Sequence, residues 1–145
     1  YEDLDETLKE KIRNLKVVHD HEYIINLSKE LSRRKNKGNY DKLDPVIHPL
    51  VSRHPVTKKP SLFLSPHTMV KIVDYDYDKG RKLLEKLIEH SIQPKYVYEH
   101  IWNNDDIIMW DNRCTMHSVK PFNNNLIKRI MHRVTLVGDK EPVMA

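Results

Sequence analysis

One histidine and two arginines near the end of the chain are the residues best suited to chemistry. Trp110-Asp111-Asn112-Arg113-Cys114-Thr115-Met116-His117 precedes Lys128-Arg129-Ile130-Met131-His132-Arg133-Val134-Thr135, so Arg129 and Arg133 follow His117 by twelve and sixteen residues. Neutral imidazole is a common metal ligand. Residues 128–135 alternate apolar and polar, which predicts a strand with side chains of period two. On it Arg129, Met131, Arg133 and Thr135 share one face, and Ile130, His132, Val134 and Leu136 the other. Two guanidinium groups turned into one interior are costly unless anions meet them. At roughly 3.3 Å per residue their Cα atoms lie about 13 Å apart, so each serves a different anion. A histidine beside two anion sites points to a metal enzyme with an anionic cosubstrate.

The elements that must position these groups can be read along the chain. Asp3-Leu4-Asp5-Glu6 opens a helix with acidic residues in its first turn, and Leu4, Leu8, Ile12 and Leu15 form its apolar stripe. Residues 16–19 read as a short extended piece and residues 22–31 as a helix, followed by a polar, basic loop over residues 32–39. Pro45, Pro49, Pro55 and Pro60 mark extended chain and turns. Residues 61–64 read as a short strand. Asp76 or Asp78 caps a second helix whose Leu83, Leu84, Leu87 and Ile88 form a buried stripe. Residues 96–102 and 107–110 read as strands on either side of a turn at Asn103-Asn104-Asp105-Asp106. Strands mixed with long helices make the expected class α+β.

Composition narrows the function classes. At 145 residues the chain has the length of one domain and can bury a core. A charged fraction of 32% with a hydrophobic fraction of 39% favours neither disorder nor a membrane span. The single cysteine, Cys114, excludes an internal disulfide and fits a reducing, cytoplasmic compartment. A net charge of +4 is modest, and anionic ligands account for part of it. The run from Arg33 to Lys37 lacks interleaved aromatics, so a solvated loop is expected there and no nucleic-acid partner. His19 and His21 would share a strand face as metal-binding pairs do, but no further ligand stands at a telling distance.

The segments around His117, Arg129 and Arg133 resemble the C-terminal half of the iron(II)/2-oxoglutarate dioxygenases of the taurine and 2,4-dichlorophenoxyacetate dioxygenase family. The likeness extends upstream through His48-Pro49-Leu50-Val51-Ser52-Arg53-His54-Pro55-Val56-Thr57, Ser61-Leu62-Phe63-Leu64-Ser65-Pro66-His67 and Lys71-Ile72-Val73, in order. It covers residues 45–142, and residues 1–20 fit more loosely. It implies a double-stranded β-helix (jelly roll) flanked by helices, present here only in part. The family's iron site is two histidines and a carboxylate with open positions, the first two ligands coming from an H-x-D or H-x-E pair. None of the nine histidines here has Asp or Glu two places on, and the chain starts at Tyr1. Residues 1–145 are therefore expected to be the C-terminal portion of a single dioxygenase domain, without its upstream H-x-D ligands. Unpaired strand edges would favour association or instability, so a homo-oligomer stays open.

The resemblance implies iron(II), 2-oxoglutarate and O2 as cofactor and cosubstrates. It also implies hydroxylation of a small anionic substrate (a sulfonate, carboxylate or sulfate ester), with succinate and carbon dioxide as coproducts. It makes His117 an iron ligand, the bland alternative being a half-buried strand histidine. Arg129 becomes the arginine that grips the distal carboxylate of 2-oxoglutarate with its planar fork; a structural ion pair is the alternative. Arg133 and His67 become substrate-binding residues, against a strand-end ion pair and a surface-loop histidine. Asp111 and Arg113 read as a structural pair and Trp110 as wall. Two other functions stay open: a non-catalytic truncated relative, and a metal-free module that binds small anions. For the 145-residue piece alone no turnover is expected, since one histidine cannot make a facial iron site.

Overall fold

The structure, a computed structural model, describes residues 1–23, 43–123, 126, 129–138 and 140–145. Helix α1 (Glu6–Ile12) starts where the Asp5 carboxylate accepts the Leu8 backbone N–H at 2.8 Å, satisfying one of the free donors of the first turn. Leu8 and Ile12, four residues apart, share its buried face, and Leu4 is buried just ahead of it.

The chain then enters β1 (Lys16–His19), the centre of a three-stranded antiparallel sheet. Val17 lies opposite His48 on β2 (Val46–Pro49) and Ile72 on β5 (Met69–Ile72). Strands β3 (Val51–Arg53) and β4 (Pro60–Leu62) form a separate antiparallel pair. Leu50 joins the two sheets: its N–H donates to Leu15 O at 2.8 Å and its carbonyl accepts Phe63 N–H at 2.9 Å. Its side chain is fully buried. At the end of the chain Arg53 N–H donates to Val143 O at 2.9 Å, so residues 143–145 run along the free edge of β3.

Helix α2 (Tyr77–Ser91) is capped by Asp76, which accepts Lys79 N–H at 2.9 Å. It buries Gly80, Leu83, Leu84 and Leu87 and packs on β5, where Arg81 also donates to Met69 O at 2.8 Å. One core results, with side chains from both helices, β1, β3, β5 and Leu50. Tyr96, in the short 3-10 turn Pro94–Tyr96, and its neighbour Lys95 both bond Asp3, which holds that turn against the start of the chain.

The helices and the extended piece at residues 16–19 match their sequence expectations. The strand expected over residues 61–64 is β4, ending two residues earlier. Of the helix expected over residues 22–31, only its opening lies within the described residues, where Asp20 accepts Glu22 N–H at 2.8 Å; the basic loop over residues 32–39 lies outside them. Three expectations need correction. Residues 96–102 and 107–110 form no strand, and residues 129–136 are irregular as well. Their apolar side chains stand in solvent: Ile101 is 80% exposed, Ile107 92% and Val134 86%. Alternation specifies which face a strand would bury, but the strand forms only when a neighbour completes its ladder. Among the described residues these segments have no such neighbour. The turn between the first two does form, with Asp106 accepting Asn103 N–H at 2.8 Å and Asp105 at a positive φ of 68°. Among the described residues no helix is long and apolar enough to cross a membrane.

Candidate functional site

The turn that leads into His117 is built around Asp111. The Asp111 carbonyl accepts the Thr115 hydroxyl at 2.6 Å, Thr115 N–H at 3.1 Å and Cys114 N–H at 3.3 Å, which reverses the chain. Its carboxylate accepts Arg113 N–H at 2.9 Å and the Arg113 guanidinium through both Nε and Nη2. The expected Asp111–Arg113 pair is therefore present. Arg113 first, and His54 second, hold the Asp111 carboxyl far below the usual carboxylate range. With the chain reversed, the rings of Trp110 and His117 meet at 4.8 Å between centroids. Trp110 is also held by its indole N–H, which donates to Asn112 Oδ1 at 2.8 Å.

His54 reaches this turn from the β3–β4 hairpin. Its Nε2 lies 3.0 Å from Asp111 Oδ2, across 57 positions of sequence. The tautomer follows from the other nitrogen. Nδ1 faces the backbone N–H groups of Val56 and Thr57 at 3.3 and 3.1 Å and must accept, so the proton sits on Nε2 and is donated to Asp111. Sequence reading gave His54 no role. Its only hint was that the tight turn after it leaves backbone donors needing an acceptor; nothing local pointed to Asp111.

His117 is exposed, and among the described residues neither of its nitrogens has a hydrogen-bond partner. Arg129 and Arg133 are exposed rather than turned into an interior, because the strand expected to carry them is not formed. The Arg129 guanidinium lies 5.8 Å from the centre of the Phe122 ring, and among the described residues neither arginine is paired with a carboxylate. His67 is exposed in the turn over residues 66–68. Its neighbour Thr68 bonds His19 Nδ1 at 2.8 Å. No hydrogen bond, ion pair or ring contact joins His117, Arg129, Arg133 and His67 to one another among the described residues.

The donor chemistry fits a part of an iron and 2-oxoglutarate site. His117 offers one free imidazole and the arginines offer forks suited to carboxylates. Among the described residues no second or third ligand stands beside His117. The one trio of ligand types found there, His54, Asp111 and Cys114 with donor atoms within 4.8 Å of one another, is differently employed. Arg113 and His54 occupy the Asp111 carboxylate, and burial with the Asp111 charge pushes the Cys114 thiol up, away from the thiolate a metal needs. His19 is buried in β1 against Thr68, His48 and Phe63, while His21 is exposed.

Residues 1–135 match the family described as Taurine catabolism dioxygenase TauD, TfdA family, and the chain belongs to that family. It is 33% identical over 140 residues to the alpha-ketoglutarate-dependent 2,4-dichlorophenoxyacetate dioxygenase of Burkholderia sp. (strain RASC), covering 95% of this chain and 45% of that protein. It is 32% identical over 145 residues to an alkylsulfatase of Acinetobacter baylyi, covering 96% of this chain and 45% of the relative. Among solved structures it is similar to AAD-2 in complex with Mn(II) and N-oxalylglycine, with a TM-score of 0.73 and 37% identity over 86% of this chain and 48% of the other. The chain thus spans about half the length of the relatives it matches.

Proposed function

We propose that residues 1–145 are the C-terminal portion of a single dioxygenase domain, and that the full-length protein is an iron(II)- and 2-oxoglutarate-dependent dioxygenase. Its substrate is a small organic anion, a carboxylate, sulfonate or sulfate ester, and its coproducts are succinate and carbon dioxide. The observation that carries this reading is the ordered set in a chain of this family: one exposed imidazole with no hydrogen-bond partner among the described residues, then two arginines with no opposing carboxylate among them. The fold that goes with it is a jelly roll, completed when residues 96–102, 107–110 and 128–135 pair with strands contributed from upstream. The alternation over residues 128–135 and the β-rich composition of the other two segments support that completion.

Bound iron, 2-oxoglutarate and O2 supply an oxidant able to replace a substrate C–H by C–OH. The chain's own residues bind and orient. His117 supplies one imidazole to the metal, while an upstream H-x-D pair supplies the other two ligands. Arg129 holds the far carboxylate of 2-oxoglutarate with two parallel N–H donors, a geometry Lys cannot reproduce. Arg133, with His67, meets the anionic group of the substrate and fixes which carbon faces the metal. Two relatives act, by their names, on an aryloxyacetate and on alkyl sulfates, which supports an anionic head group without choosing between them.

The full-length protein, supplied with iron(II), 2-oxoglutarate and a panel of aryloxy acids, sulfonates and sulfate esters, is expected to form succinate. Arg129→Lys is expected to raise the KM for 2-oxoglutarate roughly 10- to 100-fold, the value of a charge-assisted bidentate contact of about 1.5–3 kcal/mol. The 145-residue chain alone is expected to form none. Succinate from that isolated chain, or an unchanged KM in Arg129→Lys, would remove these assignments. Metal-independent 2-oxoglutarate binding without turnover by the full-length protein would favour a small-anion binding module instead.

A further inference from the structure

We infer that His54 and Asp111 form a clamp that positions His117, making both of them positioning residues for the metal site. This rests on the reading of His117 as a metal ligand. Three links join the core to the His117 ring. The first is His54 itself: its N–H donates to Lys59 O at 2.9 Å, its carbonyl accepts Lys58 N–H at 2.8 Å, and its Nδ1 accepts two more backbone N–H groups. The two main-chain bonds fix the turn and the two to Nδ1 orient the imidazole within it, and the ring is mostly buried, with 12% of the side chain exposed.

The second link is the 3.0 Å bond from Nε2 to Asp111, whose side chain is itself only 32% exposed. It ties a segment without regular structure to the hairpin that grows out of the core. The third link is the turn that Asp111 closes through its own carbonyl, with the guanidinium of Arg113 folded back on the carboxylate. That turn sets Trp110 and His117, six residues from Asp111, ring against ring. Remove His54 and the carboxylate keeps Arg113, but the turn loses the bond that ties Asp111 to the hairpin. The imidazole of His117 would then sample orientations from which a metal must select, and affinity falls by the share of time it spends misplaced.

The test is made on the full-length protein with Mn(II) as a redox-inert probe, by calorimetric titration of the metal-free form alongside its thermal midpoint. His54→Ala and Asp111→Ala are each expected to weaken Mn(II) binding about tenfold. The double variant is expected to be no weaker than the worse single one, because both break the same bond. His54→Gln, whose amide nitrogen can stand where Nε2 stood, is expected to bind within about threefold of the parent. His54→Asn, whose amide is too short to reach Asp111, is expected to bind like the alanine variant. The Gln and Asn pair decides the matter even if His54→Ala fails to fold. A His54→Asn protein with a lowered thermal midpoint but unchanged Mn(II) affinity would overturn the clamp and leave an ordinary structural contact. His117→Ala is the control that separates the two claims: if it too binds Mn(II) like the parent, the ligand assignment is wrong and the clamp falls with it.

Discussion

His19 is a buried imidazole that has to stay neutral. Its Nδ1 meets the Thr68 hydroxyl at 2.8 Å, while Nε2 is buried without a partner among the described residues. Thr68 also approaches Ser65 O at 3.5 Å, so whichever group donates to the other, one polar position on the ring goes unsatisfied. Burial first, and the neighbouring His48 second, lower its pKa from 6.5 to about 4. The sign is therefore fixed. Above pH 6.5 neither the folded nor the unfolded form holds the proton, and stability is at its maximum. As pH falls from 6.5 toward 4 the unfolded chain takes up a proton that the folded one refuses, and stability drops, on the order of 3 kcal/mol in all. Urea midpoints measured from pH 7 to pH 4 are expected to show this slope, and His19→Leu to flatten it. An equal slope in the variant would put the acid sensitivity elsewhere. At this scale the sequence told part of the story. Asp111 and Arg113, two residues apart, were legible as a pair. The partner of Asp111 at the hairpin was not, because a bond across 57 positions leaves no local pattern to read.

Among the elements, the two helices were legible because each carries its whole argument in consecutive residues: an Asp cap, a stripe of leucines at helical spacing, and a partner sheet already in the chain. Strand β5 was missed, since Met69-Val70-Lys71-Ile72 is too short to show a period and is defined by its neighbour β1. The opposite error fell on residues 96–102 and 107–110, β-rich segments on either side of a turn, and on the alternating residues 128–135, whose ladder partners are not among the described residues. Helix α2 also offers a direct test of how tightly it seats on β5. Gly80 lies in its first turns, buried, and a Cβ built there meets Tyr75 Cδ1 at 3.5 Å and Ile72 Cβ at 3.7 Å, ordinary contact distances. Glycine in a helix is roughly 1 kcal/mol worse than alanine. Gly80→Ala is therefore expected to stabilise the protein by about 0.5–1 kcal/mol in urea unfolding. A destabilised variant would mean that the space beside Tyr75 and Ile72 does not accept a methyl group despite those contact distances.

At the scale of the whole molecule, the C-terminal arm exposes apolar side chains that a packed sheet would cover: Ile101, Ile107, Met109, Ile130, Val134 and Leu136 are all more than two-thirds exposed. Isolated apolar residues on a surface need no explanation, but runs of them at alternating positions mark sheet faces that lack a cover. Such a surface has two ways to leave water, by pairing within a longer chain or by pairing with other copies. The proposed upstream half of the domain supplies the first way, and its absence leaves the second. The isolated 145-residue chain is therefore expected to bind an apolar dye and to sediment as a mixture of associated species, while the full-length protein does neither. Hydrogen exchange localises the difference. Amides of β1, β5 and α2 are expected to be protected in both proteins, and those of residues 97–123 only in the full-length one. Equal protection of residues 97–123 in the two would mean that the C-terminal arm orders itself without upstream strands, and the half-domain proposal would have to be abandoned.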